Sequence, residues 1–429
     1  MKKMIITLPS FSQSYININE IPYYHFKKIY TYKDYEVLYS SFLKAFLIKK
    51  KNEKLLLETK NKQKIYKLKL QRDFFSHLFI NITEKCNLKC RYCYAQVQTS
   101  KKPKSININF VKKVLNLTKL NVKKSSFVPI VFTGGEPTLE FSKLKFIKEL
   151  ILEEFNNYYK TNFTLWTNGV FSEKIAEWIV ENIDFVQLSI DGPPKIQNFH
   201  RPLKNNKPSS QIVEKTLNFF SENYDKNWCV RSTITRYSLS KLLEIVEYFH
   251  EKGVKLLFLE PFHETYDKKL SSFSVNFIEF AKMFVKAIEF SLDHEITVSS
   301  TFAPFKRFDN FCGICLENIC LNTDNSISAC VEVMKKNIAP DFIYGEFSEN
   351  QIKLDLKKIE ILIERRPEKM NKCKNCIIKW NCAGDCALQN YYFTGSMFKP
   401  FKERCKAKKL ILKGCAEIAL KRVFLKEKS

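Results

Sequence analysis

The chain lacks any uninterrupted apolar run long enough to cross a bilayer, and residues 1–9 carry too short a hydrophobic stretch for a secretory signal. Those absences argue against a membrane-spanning or secreted protein and give a cytoplasmic expectation. Acidic residues are scarce relative to basic ones, 45 against 71, for a formal net charge of +26. The excess is spread along the whole chain, with Lys recurring beside Ile, Asn, Phe and Tyr, so it reads as a general skew of composition. No aromatic-basic module of the nucleic-acid-binding kind interrupts it, and no nucleic-acid or membrane partner is expected. An acidic peptide partner is compatible with the field. The first 76 residues lack cysteine and any histidine cluster, and hold only the isolated prolines Pro9 and Pro22.

What the chain does have is material for a core, and thiols. Its 429 residues, 45% hydrophobic, suffice for two or three domains. Fourteen cysteines in a cytosolic chain are poor disulfide candidates, because reducing compartments keep thiols free; clustered ones read as metal ligands. The tightest cluster is Cys86-x3-Cys90-x2-Cys93, directly after the apolar run at residues 77–82. One short loop can aim three sulfurs at a common point, as a cubane iron-sulfur cluster requires. Structural zinc and electron-transfer sites normally fill a fourth position from the protein, whereas a three-thiol site leaves one metal position for a reactant. A fragment of a zinc site is the alternative on spacing alone.

Residues 77–300 alternate strand-like and helix-like segments at the rhythm of βαβ units with a parallel sheet. Candidate strands are 77–82, 128–133, 162–167, 185–190, 229–235 and 254–260, with helical patterns near 109–120, 144–158, 173–183, 211–223 and 241–252. Six such strands predict an α/β fold, a parallel barrel or partial barrel with its reactive groups at the carboxyl ends of the strands. The Cys loop follows the first strand. After the second comes Gly134-Gly135-Glu136-Pro137, where glycines admit close backbone approach and a carboxylate can accept from an ammonium group. Later strand ends carry Thr167-Asn168-Gly169 and Ser189-Ile190-Asp191-Gly192, small polar groups able to hold a ribose or adenine. Before residue 77, runs at 35–39 and 54–58 read as strands around a helical reading of 41–48. Residues 1–76 form either a unit that docks a substrate or a plain structural extension.

Beyond residue 311 lie ten of the fourteen cysteines. The clearest set is Cys373-x2-Cys376-x5-Cys382-x3-Cys386 followed by Cys405, with Cys312, Cys315, Cys320 and Cys330 upstream. Alone, this segment would read as a zinc ribbon. Cys229, inside an apolar strand, reads as a small buried hydrophobe, and Cys415 has no assigned role.

Taken in order, the three-cysteine loop, the Gly-Gly-Glu-Pro turn and the Ser-Ile-Asp-Gly turn resemble the radical S-adenosylmethionine (radical SAM) superfamily over residues 77–262. The resemblance implies a [4Fe-4S] cluster on Cys86, Cys90 and Cys93 with SAM chelating its fourth iron. It also implies that Gly134, Gly135 and Glu136 hold the SAM amino group, that Tyr92 lies near the adenine, and that Asn168, Ser189 and Arg201 belong to the cofactor rim. The array beyond residue 301 resembles the SPASM extension of peptide- and protein-modifying radical SAM enzymes, which houses auxiliary [4Fe-4S] clusters. The first cysteine of the pattern is Cys312 or Cys315, both at a permitted spacing; the crossed ligation of that family assigns one cluster to Cys312, Cys315, Cys330 and Cys386 and the other to Cys373, Cys376, Cys382 and Cys405, with Cys320 as a spare candidate. Asn325 stands where the pattern usually has glycine.

The implied activity is reductive cleavage of SAM to a 5′-deoxyadenosyl radical that removes hydrogen from a ribosomally made precursor peptide, ending in a thioether or other crosslink. An external one-electron reductant of flavodoxin or ferredoxin type would supply the electron. The alternative enzyme is an anaerobic sulfatase-maturase-like protein oxidase; that family places Asp directly after the cysteine equivalent to Cys330, where this chain has Val331. Glu332, one residue on, is the candidate catalytic carboxylate, expected to point elsewhere if the segment is extended. A non-catalytic iron-sulfur or zinc protein is the reading from another class; the amino-acid-binding rim beside an open thiol site argues against it.

Overall fold

A computed structural model of the chain describes residues 2–7, 12–17, 27–32, 35–40, 45–50, 75–122, 126–156, 158–265, 268–303 and 310–426. Near the amino terminus, β1 (Lys2–Thr7), β2 (Ser12–Asn17), β3 (Lys27–Tyr32), β4 (Tyr35–Ser40) and β5 (Ala45–Lys50) form an antiparallel sheet in the order β2-β1-β5-β4-β3. The helical reading of 41–48 is corrected here, since its second half lies in β5. That strand pairs with β4 on one side and β1 on the other, so neighbouring strands satisfy its backbone groups, and buried Phe46 packs on Tyr39 with ring centroids 5.3 Å apart. A run with apolar residues at 42, 43 and 45–48 fits either period, and tertiary pairing decides it. The strand expected at 54–58 lies outside the described residues.

The six expected barrel strands are present as β6 (His77–Asn81), β7 (Phe127–Thr133), β8 (Lys160–Thr167), β9 (Phe185–Ser189), β10 (Asn227–Ile234) and β11 (Leu256–Pro261), each parallel to the next. Leu78, Ile80, Val128, Ile130, Phe132, Leu165, Val186, Leu188, Val230 and Leu257 are fully buried, as strands covered by helices require. The intervening helices are α1 (Ile108–Asn121), α2 (Phe141–Phe155), α3 (Glu173–Asn182), α4 (Pro194–His200), α5 (Ser210–Asn223), α6 (Leu242–Glu251) and α7 (Phe277–Ser291). Their ends follow local chemistry. Asn107 caps α1 by accepting from the Asn109 and Phe110 N–H groups, and Asn276 caps α7 in the same way.

The sheet does not stop at six strands. A short β12 (Thr297–Ser299) extends it beside β11, while β13 (Asn318–Leu321) pairs parallel to β6 and leads into antiparallel β14 (Ser326–Ser328), β15 (Ile343–Ser348) and β16 (Gln351–Leu354). The cysteine-rich region thus continues the barrel sheet from the edge that carries the Cys86 loop. It is completed by α8 (Leu356–Ile363), α9 (Lys379–Cys382), α10 (Ala387–Thr394) and α11 (Lys402–Lys426).

The last helix returns to the barrel and packs along α7. Gly414 marks the contact: a Cβ there would lie 2.6 Å from both Cγ atoms of Val285. A mid-helix glycine costs about 1 kcal/mol against alanine, so close approach, not helix propensity, explains it. Gly414→Ala is expected to destabilise the chain by about 1–3 kcal/mol through overpacking, despite the gain in propensity, and thermal unfolding followed by circular dichroism will read it.

Candidate functional site

Two devices hold the loop after β6. Behind it, Gly134 and Gly135 press against its backbone: the Gly135 N–H donates to Thr83 O (2.7 Å), the Glu136 N–H to Lys85 O (2.8 Å), and a Cβ on Gly135 would stand 2.2 Å from Lys85 O. Only glycine fits there, and Gly134 also has φ +141°. In front, Lys89 N–H donates to Pro202 O and Arg91 N–H to His200 O, so the segment after α4 braces the loop.

Glu136 turns inward. Its carboxylate is fully buried and accepts from the Thr138 hydroxyl and N–H, the Thr167 hydroxyl (2.8 Å) and the Asn168 N–H (2.7 Å). Its side chain therefore fastens the end of β7 to the end of β8, and burial raises its pKa. Asn168 faces the loop, its Nδ2 lying 3.7 Å from Cys86 Sγ and donating to Asn87 Oδ1 (2.8 Å). Ser189 ends β9 half-buried and pairs in register with Arg231.

Tyr92, Asp191, His200 and Arg201 form one buried cluster. The Tyr92 hydroxyl donates to Asp191 Oδ2 (2.6 Å) and accepts from Arg201 Nη1 (3.0 Å). His200 Nδ1 lies 3.2 Å from Asp191 Oδ2, and its Nε2 meets the Thr235 hydroxyl at 2.9 Å. Arg201 is 8% exposed, its Nε has no partner, and its charge acts on all three loop thiols. Burial pushes the Cys86 thiol up to about 11 and raises Cys90 and Cys93 as well. Asp191 and His200 escaped the sequence reading as partners, although Asp191 sits in the Ser-Ile-Asp-Gly turn and His200 directly precedes Arg201.

Comparison with known proteins now identifies the domain. The radical SAM superfamily pattern matches residues 80–235. That stretch is a radical SAM domain. The chain is 33% identical over 184 residues to an uncharacterised protein of Methanocaldococcus jannaschii, a match spanning 43% of this chain and 61% of that protein, under two thirds of its length. It is 26% identical to a cysteine-type anaerobic sulfatase-maturating enzyme of Clostridium perfringens, over 70% of this chain and 85% of the relative. Among solved structures, anSMEcpe with bound AdoMet superposes with a TM-score of 0.63 at 21% identity, covering 80% of this chain and 97% of that one. Streptococcus suis SuiB bound to precursor peptide SuiA gives 0.58 at 15%, covering 78% and 76%. These likenesses establish the fold.

The residues of this radical SAM domain fit a cubane at the first loop: three thiols on one braced turn, an unpaired buried guanidinium N–H beside them, and a glycine cradle behind. Among the described residues no three Cys, His, Asp or Glu side chains close on one point as a single ion requires. A cubane takes its thiolates at separate corners and needs no such closure.

The C-terminal cysteines sort into two neighbourhoods. Cys373, Cys376, Cys382 and Cys405 line a single cavity of about 140 Å³ whose wall also carries Lys372, Lys379, Lys402 and Lys409. Four thiols with four lysines suit an anionic cluster. Cys312, Cys330 and Cys386 form the second neighbourhood, and Cys320 on β13 lies in the same electrostatic surroundings. Cys315 is fully buried, and its thiol donates to Arg365 O at 3.2 Å. Cys229 and Cys415 are buried.

Glu332 is a correction. Val333 N–H donates to Cys330 O, so the segment is a turn and strand alternation does not apply. The carboxylate meets His263 Nδ1 at 2.9 Å, in the field of Arg231 and Arg404, which with His263 lower its pKa against the cost of burial. His263 follows β11, and its Nε2 is buried without a partner. Phe262 beside it packs edge-on against Tyr92, with centroids 6.4 Å apart. Glu332 and His263 therefore lie between the first cysteine loop and the Cys330 neighbourhood. Sequence reading missed His263, whose one available signal was its place just past a barrel strand. Gln98 fixes the arrangement, donating to Glu332 O (2.8 Å) and accepting from Met334 N–H (2.9 Å).

Proposed function

We propose that the chain is a maturase acting on a precursor peptide, with the first loop carrying the SAM-binding cluster and the two C-terminal neighbourhoods carrying auxiliary clusters. The observation that carries this reading is the second, protein-lined set of four thiols in one cavity, which shares no lining residue with the Cys86 loop. A free-metabolite enzyme has no evident use for it. When bound, the cluster and SAM supply a 5′-deoxyadenosyl radical able to remove a hydrogen atom from unactivated carbon. The chain's own residues set the rest. Tyr92, Asp191 and Arg201 fix the loop, Asn168 orients its first cysteine, and His263 Nε2, its tautomer set by Glu332, is the proton acceptor for the substrate group.

Thioether formation is the reaction favoured: one hydrogen atom leaves carbon, the thiol proton goes to His263, and the remaining electron leaves through an auxiliary cluster. Residues 1–76, whose sheet ends in the edge strands β2 and β3, are assigned to docking the peptide by strand addition. An external flavodoxin- or ferredoxin-type reductant supplies the first electron.

The placement of Glu332 supports a second reading, a protein oxidase forming formylglycine, because it returns a carboxylate to the neighbourhood of Cys330 despite Val331. One experiment separates the two. Anaerobically reconstituted chain is given SAM, reductant and the short peptides encoded beside it, and the products are read by mass spectrometry. A peptide lighter by two hydrogens and holding one thiol fewer supports the thioether reading; exchange of cysteine sulfur for a carbonyl oxygen sinks it in favour of the oxidase.

A further inference from the structure

We propose that Arg365 and Arg404 form a shared cationic partition between the two auxiliary cysteine sets and raise the reduction potentials of both clusters together. The inference rests on the auxiliary-cluster reading and concerns residues that the sequence motifs do not single out.

Both side chains are buried, 0% and 1% exposed. Arg365 follows α8. Its Nε donates to Met397 O (3.0 Å) and its Nη2 to Gly384 O and Asp385 O (3.1 and 2.7 Å). Gly384 lines the cavity of the Cys373 set, and its φ of +82° lets that turn pass against Met370 with no room for a Cβ. Arg404, on α11 beside Cys405, donates from Nε and Nη2 to the Asp385 carboxylate (2.7 and 3.2 Å), with its guanidinium 4.6 Å from the Phe302 ring centroid. In each guanidinium the remaining nitrogen, Nη1, is buried and has no partner.

Both guanidinium groups converge on the Gly384–Asp385 turn, which joins Cys382 of one set to Cys386 of the other. From there the Arg365 charge reaches Cys312 and Cys373, and the Arg404 charge reaches Cys386 and Cys382. Lys408, 4% exposed, adds a third cation, 3.3 Å from Asp385 Oδ1. Among the described residues two carboxylates answer them: Asp385, bound to Arg404 and Lys408, and Glu332, which lies in the field of Arg404 and of a fourth cation, Arg231. Two positive charges are thus left over in a dry partition. Isolated buried charge is too costly to persist uncompensated, and buried N–H groups left unpaired add to that cost. A thiolate-ligated [4Fe-4S] cluster on each side supplies the missing anions and sulfur acceptors. Reduction adds a further negative charge to a cluster, so cations fixed beside it favour the reduced form and raise the potential. Because the partition is common, one substitution reaches both clusters.

The test is a redox titration followed by electron paramagnetic resonance on the full-length, three-cluster protein. Adding SAM identifies the Cys86 cluster, whose signal alone responds. Arg365→Gln and Arg404→Gln are each expected to shift the oxidised-to-reduced ratio of both auxiliary clusters at least tenfold toward oxidised, 59 mV for one electron, leaving the SAM-responsive cluster unchanged. Arg365→Lys and Arg404→Lys, which keep the charge, should shift less. Unchanged potentials with full iron content, a shift confined to one auxiliary cluster, or equal shifts in the Gln and Lys variants would each overturn the proposal. Loss of auxiliary iron in the Gln variants alone supports it, and equal loss in the Lys variants assigns the arginines to folding and overturns it. A wild-type chain holding a single cluster fails earlier, on the auxiliary reading itself.

Discussion

Replacing Cys86, Cys90 and Cys93 by alanine is expected to remove about a third of the iron from the reconstituted protein and to abolish 5′-deoxyadenosine release from SAM. The three thiols are the only cysteines on the loop braced by Gly134 and Gly135 in the rear and by residues 200–202 in front. In the proposed assignment neither C-terminal set takes a ligand from that loop, so two thirds of the iron should stay. Folding should survive as well, because the brace consists of backbone hydrogen bonds, such as Gly135 N–H to Thr83 O, that alanine leaves intact. Iron assay, visible absorbance and chromatography of the SAM products read the three outcomes together. Residual deoxyadenosine, or loss of all iron at once, would contradict the assignment of this loop as a self-contained SAM-binding site.

How much of this was legible in the sequence depended on distance along the chain. The loop thiols, the Gly-Gly turn and Asn168 sit at the ends of consecutive strands, and a parallel sheet necessarily brings such ends to one rim. The six strands were readable for a related reason: one face is buried and the other half-buried, so they show as short segments rich in Val, Ile, Leu and Phe between helical periods. The β5 segment was not, because six residues with mixed apolar spacing take their period from their neighbours. Glu332 was misjudged because strand alternation was assumed where the chain turns at Cys330. The partition beside the auxiliary sets was invisible for another cause. Arg365, Asp385 and Arg404 come from the end of α8, a turn with φ +65° at Asp385, and α11. No local spacing joins them, and in a chain with 71 basic residues two more arginines carry no signal.

Asp385→Asn is expected to have the largest effect on stability of any single polar substitution in the C-terminal region, a loss of about 3–5 kcal/mol or more. The carboxylate is fully buried and binds Arg404 through two bonds and Lys408 at 3.3 Å; together they hold its pKa far below the usual carboxylate range although burial alone would raise it. An amide of the same shape keeps the turn between Cys382 and Cys386 but strands two cations where water cannot reach them. Breaking a buried pair by removing one partner leaves the other's desolvation unpaid, which is why the loss exceeds what the pair itself contributes. Chemical denaturation of the metal-free chain reads this cost directly. In the cluster-loaded protein the same change should act on the clusters with the opposite sign to the arginine variants: removing the anion bound to both Arg404 and Lys408 raises both auxiliary potentials. The loaded chain should also lose less stability than the metal-free chain, because the clusters compensate part of the stranded charge. A stability loss equal in the two forms would mean that Asp385 serves the fold alone and that the charges around it do not reach the clusters.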